Sequence, residues 1–144
     1  MNELTCCSIL LVEDNPMDID LTQRAFAKRR LANPLEVDRD GEETLARMAR
    51  WEAGEPPPLV ILLDLKLPQV DGLEVLRRIK THPQFRSIPV VVLTTSAEEH
   101  DVRAAYQLGA NSYIVKPVDL TSFYKLPGRL ICIGARSICH PGEL

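Results

Sequence analysis

The sequence predicts an α/β domain built on a parallel sheet. Aliphatic runs at residues 9–12, 60–63, 90–93 and 113–115 have the composition of strands that are buried on both faces. Segments with helical apolar periodicity lie between these runs, so strands and helices alternate along the chain. Polar residues follow each run directly, and in a parallel sheet such residues gather at the carboxyl edge, where ligands bind.

The first helix is predicted to begin at Asn15 and Pro16, because Asn is a good N-cap and Pro fits the first helical turn. Residues at spacings of four predict its apolar stripe, namely Met17, Leu21 and Ala25. The alternating segment LEVD at 35–38 indicates a second strand, nearer an edge of the sheet.

Asp40 is the expected N-cap of a second helix, whose inward residues would be Leu45, Met48 and Ala49. Glycine and prolines at 54–58 then break the chain before the third strand. The pair DG at 71–72 precedes a third helix, which the pair HP at 82–83 ends. The inward residues of this third helix are expected to be Val75, Leu76 and Ile79.

A capping box at 96–99 (SAEE) predicts the start of a fourth helix, and Gly109 is its expected C′ residue. Its apolar stripe is expected to comprise Val102, Ala105 and Tyr106. Asp119 would cap a fifth helix, but the pair PG at 127–128 would end that helix after about two turns.

The predicted element order is (βα)₅ with a truncated or atypical fifth helix. Right-handed crossovers place helices on both faces of the sheet, and a flavodoxin-like three-layer sandwich with strand order 2-1-3-4-5 fits best. This order sets the first and third strands side by side, so Glu13, Asp14 and Asp64 are expected to meet. The domain would span residues 1–126, and residues 127–144 would be an atypical tail. Two origins of this tail stay open, namely natural divergence and a change of reading frame.

Composition and charge exclude several classes of function. At 144 residues the chain is expected to form one domain. Its formal charge of −3 does not indicate the positively charged surface that nucleic-acid-binding domains carry. No apolar stretch reaches the roughly 20 residues of a membrane span, and the N-terminus lacks a signal-peptide pattern, so a cytoplasmic location is expected. The four cysteines have no zinc-type spacing and are expected to be free thiols.

The acidic residues at the strand ends predict a cation site. The carboxylates of Glu13, Asp14 and Asp64 would repel one another, and a divalent cation removes that repulsion. Mg²⁺ prefers oxygen ligands in near-octahedral geometry, and Mn²⁺ serves similarly. We expect direct ligation by Asp14 and Asp64, a water-mediated contact from Glu13, and ligation by the backbone carbonyl of Lys66. Taken alone, Glu13 and Asp14 are also explained as a helix N-terminal charge pair.

Asp64 is the candidate nucleophile, because a carboxylate can accept a phosphoryl group to form an acyl phosphate. Phosphoryl transfer mainly requires positioning and charge neutralisation. Lys116 would supply a mobile positive charge, and Thr94 would offer a hydroxyl to a phosphoryl oxygen. The alternatives are a surface lysine at a strand end and simple β-propensity for Thr94.

Short motifs in a shared order resemble the receiver domain of two-component response regulators over roughly residues 8–124. They are VEDN at 12–15, LLDL at 62–65, LP at 67–68, DG at 71–72, LT at 93–94, GA at 109–110 and KP at 116–117. The fuller strings LTTS at 93–96 and GANSY at 109–113 resemble the single-domain regulators that are paired with bacterial phytochromes.

The resemblance implies that Asp64 takes a phosphoryl group from a phosphohistidine on a sensor histidine kinase, here a phytochrome kinase. It implies that Glu13, Asp14 and Asp64 hold Mg²⁺, and that Lys116 and Thr94 contact the phosphoryl group. The chain would then be a signalling phosphoacceptor and not an enzyme, although it would assist its own phosphorylation and dephosphorylation.

The resemblance also implies a switch, in which Tyr113 turns inward when Thr94 moves toward the phosphoryl group. The alternative for Tyr113 is a half-exposed aromatic residue at the edge of the sheet. The physical account is a shift of population toward a conformation that is rare before modification. In this family the fourth helix, fifth strand and fifth helix form the signalling or homodimer face, and the shortened fifth helix puts that face in doubt. No effector domain and therefore no direct DNA binding is expected.

Three other functions compete with this interpretation. A Mg²⁺-dependent phosphohydrolase with an aspartyl-phosphate intermediate needs an acid two residues after the nucleophile, where Lys66 stands. A flavodoxin needs a phosphate-cradling loop after the first strand, where Glu13 and Asp14 would repel phosphate. A receiver-like interaction module that is never phosphorylated stays open.

Overall fold

The computed structural model describes residues 8–28, 33–95 and 99–116. Its elements alternate along the chain as β1 (Ile9–Val12), α1 (Pro16–Lys28), β2 (Leu35–Asp38), α2 (Gly41–Glu52), β3 (Val60–Asp64), α3 (Gly72–Thr81), β4 (Val90–Thr94), α4 (Glu99–Gln107) and β5 (Ser112–Val115). The strands are parallel in the order β2-β1-β3-β4-β5, which confirms the predicted topology.

The sheet has a hydrophobic cluster on each face, because successive side chains of a strand point to opposite sides. On one face Leu11, Leu62 and Leu93 pack against Ile19 and Phe26 of α1. The other face packs against α2, α3 and α4 through a larger cluster, which includes Leu63, Val92, Trp51, Leu76, Ile79 and Ala105. The central strands are buried from both sides, as their aliphatic composition predicts.

Two of the three residues predicted for the apolar stripe of α1 are wrong. Met17 and Leu21 are 74% and 46% exposed, whereas Ala25 is partly buried and packs against the core. The buried residues of the helix are Ile19, Thr22 and Phe26. Thr22 can be buried because its hydroxyl donates to the carbonyl oxygen of Asp18 at 2.8 Å. A polar residue at the centre of the inward stripe hid this face from a pattern of apolar spacings.

The predictions for α2 and α3 are largely confirmed. The Asp40 side chain caps α2 by accepting from the Glu43 backbone amide at 2.8 Å. Met48 is buried and Leu45 packs against the core, but Ala49 is exposed, because Thr44 and Trp51 complete the inward face. In α3 the predicted inward residues are all buried, and the helix ends at residue 81 as expected.

The structure corrects the stripe of α4. Ala105 is buried, but Tyr106 is 46% exposed and lies edge to face against Tyr113 of β5. Gly109 has a φ of +107°, which confirms its prediction as the residue that ends the helix. No helix within the described ranges is long and apolar enough to cross a membrane.

Several expectations fall on residues outside the described ranges. These are the capping residues at 96–98, the proline at 117, the fifth helix from Asp119, the tail at 127–144 and the four cysteines. The domain limits 1–126 and 127–144 therefore stay predictions.

Candidate functional site

The carboxyl edge of the sheet brings distant acidic side chains together. Val12 of β1 pairs with Leu63 of β3, so Glu13 and Asp64 follow at neighbouring positions on adjacent strands. Glu13 is 1% exposed and Asp64 is 7% exposed, whereas Asp14 is exposed. Ligand oxygens of these three residues all lie within 4.8 Å of one another. The expected meeting of Glu13, Asp14 and Asp64 is therefore seen.

This acidic cluster, Glu13, Asp14 and Asp64, fits a divalent cation. Its donors are carboxylate oxygens, which Mg²⁺ and Mn²⁺ prefer. Among the described residues, Glu13 Oε1 is a fully buried oxygen that contacts the Lys116 ammonium. A carboxylate oxygen has more than one lone pair, so this contact still allows a cation to bind the same carboxylate.

The loop after β3 organises Asp64. The backbone amide of Lys66 donates to Asp64 Oδ1 at 3.0 Å, while the Lys66 side chain is exposed. Ligation by the Lys66 carbonyl stays a prediction. A Cβ on Gly72 would lie 2.4 Å from the carbonyl oxygen of Asp64, so only glycine lets α3 begin directly beside the acid. Gln69 in the same loop has a φ of 64°, a conformation that non-glycine residues rarely adopt.

Lys116 lies inside the site and not on the surface. Its backbone amide donates to the carbonyl oxygen of Thr94 at 2.7 Å, which places the residue at the end of β5 beside β4. The ammonium Nζ is 3.0 Å from Asp64 Oδ2 and 3.0 Å from Asp18 Oδ2, and it also contacts Glu13 Oε1. The Lys116 side chain is only 8% exposed, which excludes the alternative of a surface lysine.

Burial and mutual contacts shift the pKa values of the buried pair. Burial, followed by the hydrogen bond with Asp64, raises the pKa of Glu13 to about 7, and contact with Lys116 opposes that rise. Burial would lower the pKa of Lys116, but hydrogen bonds to Glu13, Asp18 and Asp64 outweigh it and raise that pKa above its ordinary value. Lys116 therefore stays charged at neutral pH, whereas Glu13 is poised between its two forms.

Thr94 and Tyr113 share one face of the sheet. Tyr113 pairs with Val92, two residues before Thr94, and residues two apart on a strand point to the same side. Thr94 is 7% exposed, whereas Tyr113 is 40% exposed. The Tyr113 ring faces outward, with its centroid 6.2 Å from that of Tyr106 and an angle of 82° between the ring planes.

Asp18 is the site residue that the sequence did not reveal. It lies in the first turn of α1, where an acidic residue is already explained by the helix dipole. The available signal was its position in the first turn of α1, because that helix begins shortly after the end of β1, next to Glu13 and Asp14.

Comparisons with known proteins agree with this geometry. Residues 9–126 match the response regulator receiver domain family. The response regulator Rcp1 of Synechocystis sp. is 43% identical over 120 residues, which cover 82% of this chain and 82% of Rcp1. A crystal structure of the Mn²⁺-bound form of Rcp1 has a TM-score of 0.70 at 42% identity and covers 82% of this chain and 86% of that chain.

Two solved bacteriophytochrome response regulators are also similar. AtBRR is 49% identical with a TM-score of 0.74, and the match covers 82% of this chain and 87% of that chain. RtBRR is 44% identical with a TM-score of 0.77, and the match covers 94% of this chain and 85% of that chain. The resemblance seen in the sequence is thus confirmed, and the chain belongs to the response regulator receiver family of two-component systems, with phytochrome response regulators among its relatives.

Proposed function

We propose that this chain accepts a phosphoryl group on Asp64 from a phosphohistidine of a sensor histidine kinase, in a reaction that depends on Mg²⁺. The observation that carries the proposal is the position of Asp64, which lies beside the Lys116 ammonium and within a group of carboxylates that fits a divalent cation. Its Oδ2 is 3.0 Å from the Lys116 ammonium, and its carboxylate belongs to the acidic cluster.

The site can neutralise the charge that a phosphoryl group brings. Glu13, Asp14 and Asp64 bring three acidic side chains together, whereas Lys116 supplies only one positive charge. Glu13, Asp14 and Asp64 would hold Mg²⁺ or Mn²⁺, which would help to neutralise the negative charge of the phosphoryl oxygens. The arrangement therefore favours an anionic ligand on Asp64 only when a divalent cation is present.

The transfer is a displacement at phosphorus. A carboxylate oxygen of Asp64 forms the new O–P bond, and the N–P bond of the phosphohistidine breaks with its electron pair returning to the imidazole. The backbone amide of Lys66 donates to Asp64 Oδ1, and the ammonium of Lys116 donates to Asp64 Oδ2. These two contacts orient the nucleophile before the phosphoryl donor arrives. The product is an acyl phosphate on Asp64.

The signal would be a conformational switch. A phosphoryl oxygen beside Asp64 offers a new acceptor to the Thr94 hydroxyl, since Leu93 pairs with Asp64 and Thr94 follows it. Movement of Thr94 frees space on the face that it shares with Tyr113, whose ring now lies outward. Such coupling typically amounts to about 1–3 kcal/mol, enough to change which state dominates.

The kinase is proposed to be a phytochrome, on the strength of the phytochrome regulators among the relatives. Phosphotransfer from a panel of phytochrome and non-phytochrome kinases with radiolabelled ATP tests this. We expect faster transfer from the phytochrome kinases, and equal or slower transfer would contradict the assignment of the partner.

The phosphoacceptor is tested by acetyl-phosphate labelling in Mg²⁺. Asp64→Asn should abolish labelling, and removal of Mg²⁺ should abolish it in the unmodified protein. Asp71→Asn is the matched control, because this exposed residue caps α3 from the same loop and Asn is an equally good cap. Labelling retained in Asp64→Asn would refute the assignment, and turnover of small phosphate esters would instead favour a phosphohydrolase.

The outward aromatic residues also support a homodimer. Tyr106, Tyr113 and Val115 of α4 and β5 are 46%, 40% and 43% exposed and form an apolar surface next to the switch. We expect the phosphorylated chain to dimerise through this surface, and light scattering coupled to size exclusion measures it. A monomer both before and after phosphorylation would exclude the dimer.

A further inference from the structure

One of the carboxylates around Lys116 stands outside the acidic cluster. Lys116 Nζ is 3.0 Å from Asp18 Oδ2, in addition to its contacts with Glu13 and Asp64. An ammonium carries three N–H donors, so each of the three carboxylates can accept one. Asp18 comes from α1, whereas Glu13 directly follows β1 and Asp64 is the last residue of β3.

Asp18 differs from Glu13 and Asp64 in what else it can bind. Those two residues belong with Asp14 to the group whose oxygens lie close enough to share a cation, and Asp18 does not. A bound cation would compete with the ammonium for the oxygens of Glu13 and Asp64. Asp18 would then be the carboxylate that remains for Lys116.

We propose that Asp18 is a positioning residue for Lys116, whose carboxylate keeps the ammonium beside Asp64 while the cation and the phosphoryl group occupy the other carboxylates. This inference rests on the proposed function. A lysine side chain loses much rotamer freedom when it is held in one place. A partner that holds Lys116 before the transfer removes that loss from the reaction step.

A purely structural role for Asp18 makes a different prediction. Acidic residues in the first turn stabilise a helix through its dipole, and this effect would not depend on Lys116. The two roles are separated by asking whether the effect of changing Asp18 disappears when Lys116 is absent.

The test compares matched variants of the full chain. Asp18→Ala removes the acceptor, and Asp18→Asn keeps an amide oxygen that can still accept from the ammonium. Asp20→Ala is the control, because Asp20 lies on the same helix and pairs instead with Arg24 at 2.8 Å on the exposed side. Lys116→Ala supplies the second background for the double-mutant cycle.

The first readout is the initial rate of labelling by acetyl phosphate in saturating Mg²⁺. We expect Asp18→Ala to be about tenfold slower than the unmodified protein, as for the loss of one charge-assisted hydrogen bond. Asp18→Asn should recover to within about threefold, since it keeps an acceptor, and Asp20→Ala should be unchanged. In the Lys116→Ala background, Asp18→Ala should have no further effect. No slowing, or the same slowing in both backgrounds, overturns the positioning role.

The second readout needs neither cation nor phosphoryl group. Urea unfolding in the presence of a chelator measures how much Asp18→Ala changes the equilibrium constant for unfolding. The factor of change should be at least about threefold smaller in the Lys116→Ala background than in the unmodified background. Equal changes in both backgrounds would again overturn the inference. If the unmodified protein is never labelled, the proposed function fails, and the urea cycle still decides whether Asp18 holds Lys116.

Discussion

In the cation-free protein, the buried carboxylate of Glu13 should make the free energy of unfolding depend on pH. The substitution Glu13→Gln should remove this dependence. Glu13 is 1% exposed, so solvent screens its charge little. Burial and the contact with Asp64 raise its pKa from 4.5 to about 7. Because the native state holds this proton more tightly than the unfolded chain, stability is lost as the pH rises from the unfolded value through the native value.

The expected magnitude follows from those two pKa values. A difference of one pKa unit corresponds to about 1.4 kcal/mol, so the full loss is on the order of 3 kcal/mol. Between pH 5.5 and pH 8 the loss is about 2 kcal/mol, since part of it has already occurred at the lower pH. Lys116 stays protonated over this range because its pKa is raised, so its contribution is constant.

Urea unfolding in a chelator at the two pH values measures the effect. Between pH 5.5 and pH 8, the free energy of unfolding of the unmodified protein should fall by about 2 kcal/mol more than that of Glu13→Gln, because Gln at position 13 cannot titrate. Adding Mg²⁺ at pH 8 should restore the stability of the unmodified protein, because the cation stabilises the ionised cluster. The reasoning is refuted if both proteins change equally with pH, or if the unmodified protein gains stability relative to the variant.

Three further predictions concern the residues around the site. Gly72→Ala should lower the free energy of unfolding by about 3 kcal/mol, because the added Cβ would meet the backbone oxygen of Asp64 at 2.4 Å; an unchanged melting temperature would contradict this. Arg47→Ala should cost about 3 kcal/mol, since it leaves the 2% exposed Asp38 without the guanidinium that lies 2.6 Å away. The exposed pair Arg50–Glu55 gives the control, and Arg50→Ala should change stability by less than about 1 kcal/mol in the same urea titration. Tyr106→Ala removes an edge-to-face contact worth about 1 kcal/mol, so ¹⁹F NMR of a fluorinated Tyr113 should show the outward ring about fivefold less favoured; an unchanged spectrum would exclude Tyr106 as its support.

The sequence was sufficient to predict the sheet and its acidic edge. Runs such as 60–63 have the length and the aliphatic composition of buried strands, and the polar residues at their carboxyl ends must meet once the strand order is known. Asp64 and Lys116 are 52 residues apart in the chain, yet Asp64 ends β3 and Lys116 directly follows β5, and the structure places Asp64 Oδ2 and Lys116 Nζ 3.0 Å apart.

The buried face of α1 and the contact of Asp18 were not predicted, because the spacing of apolar residues does not determine either of them. On α1, Met17 and Leu21 have the same spacing as a buried stripe, and the inward face is instead centred on Thr22, which satisfies its own hydroxyl. Asp18 was missed because its partner Lys116 is 98 residues away and its place in a first helical turn already explains an acid. Such long-range ion pairs depend on how a helix is rotated against the sheet, which local sequence does not determine.

The most direct test of the central claim is a crystal structure of the chain with Mg²⁺ and beryllofluoride, an analogue of the phosphoryl group. The account predicts one cation bound by Asp14 and Asp64, beryllium on an Asp64 carboxylate oxygen, and Lys116 in contact with a fluorine atom. A cation bound away from these carboxylates, or beryllofluoride on another acid, would contradict it.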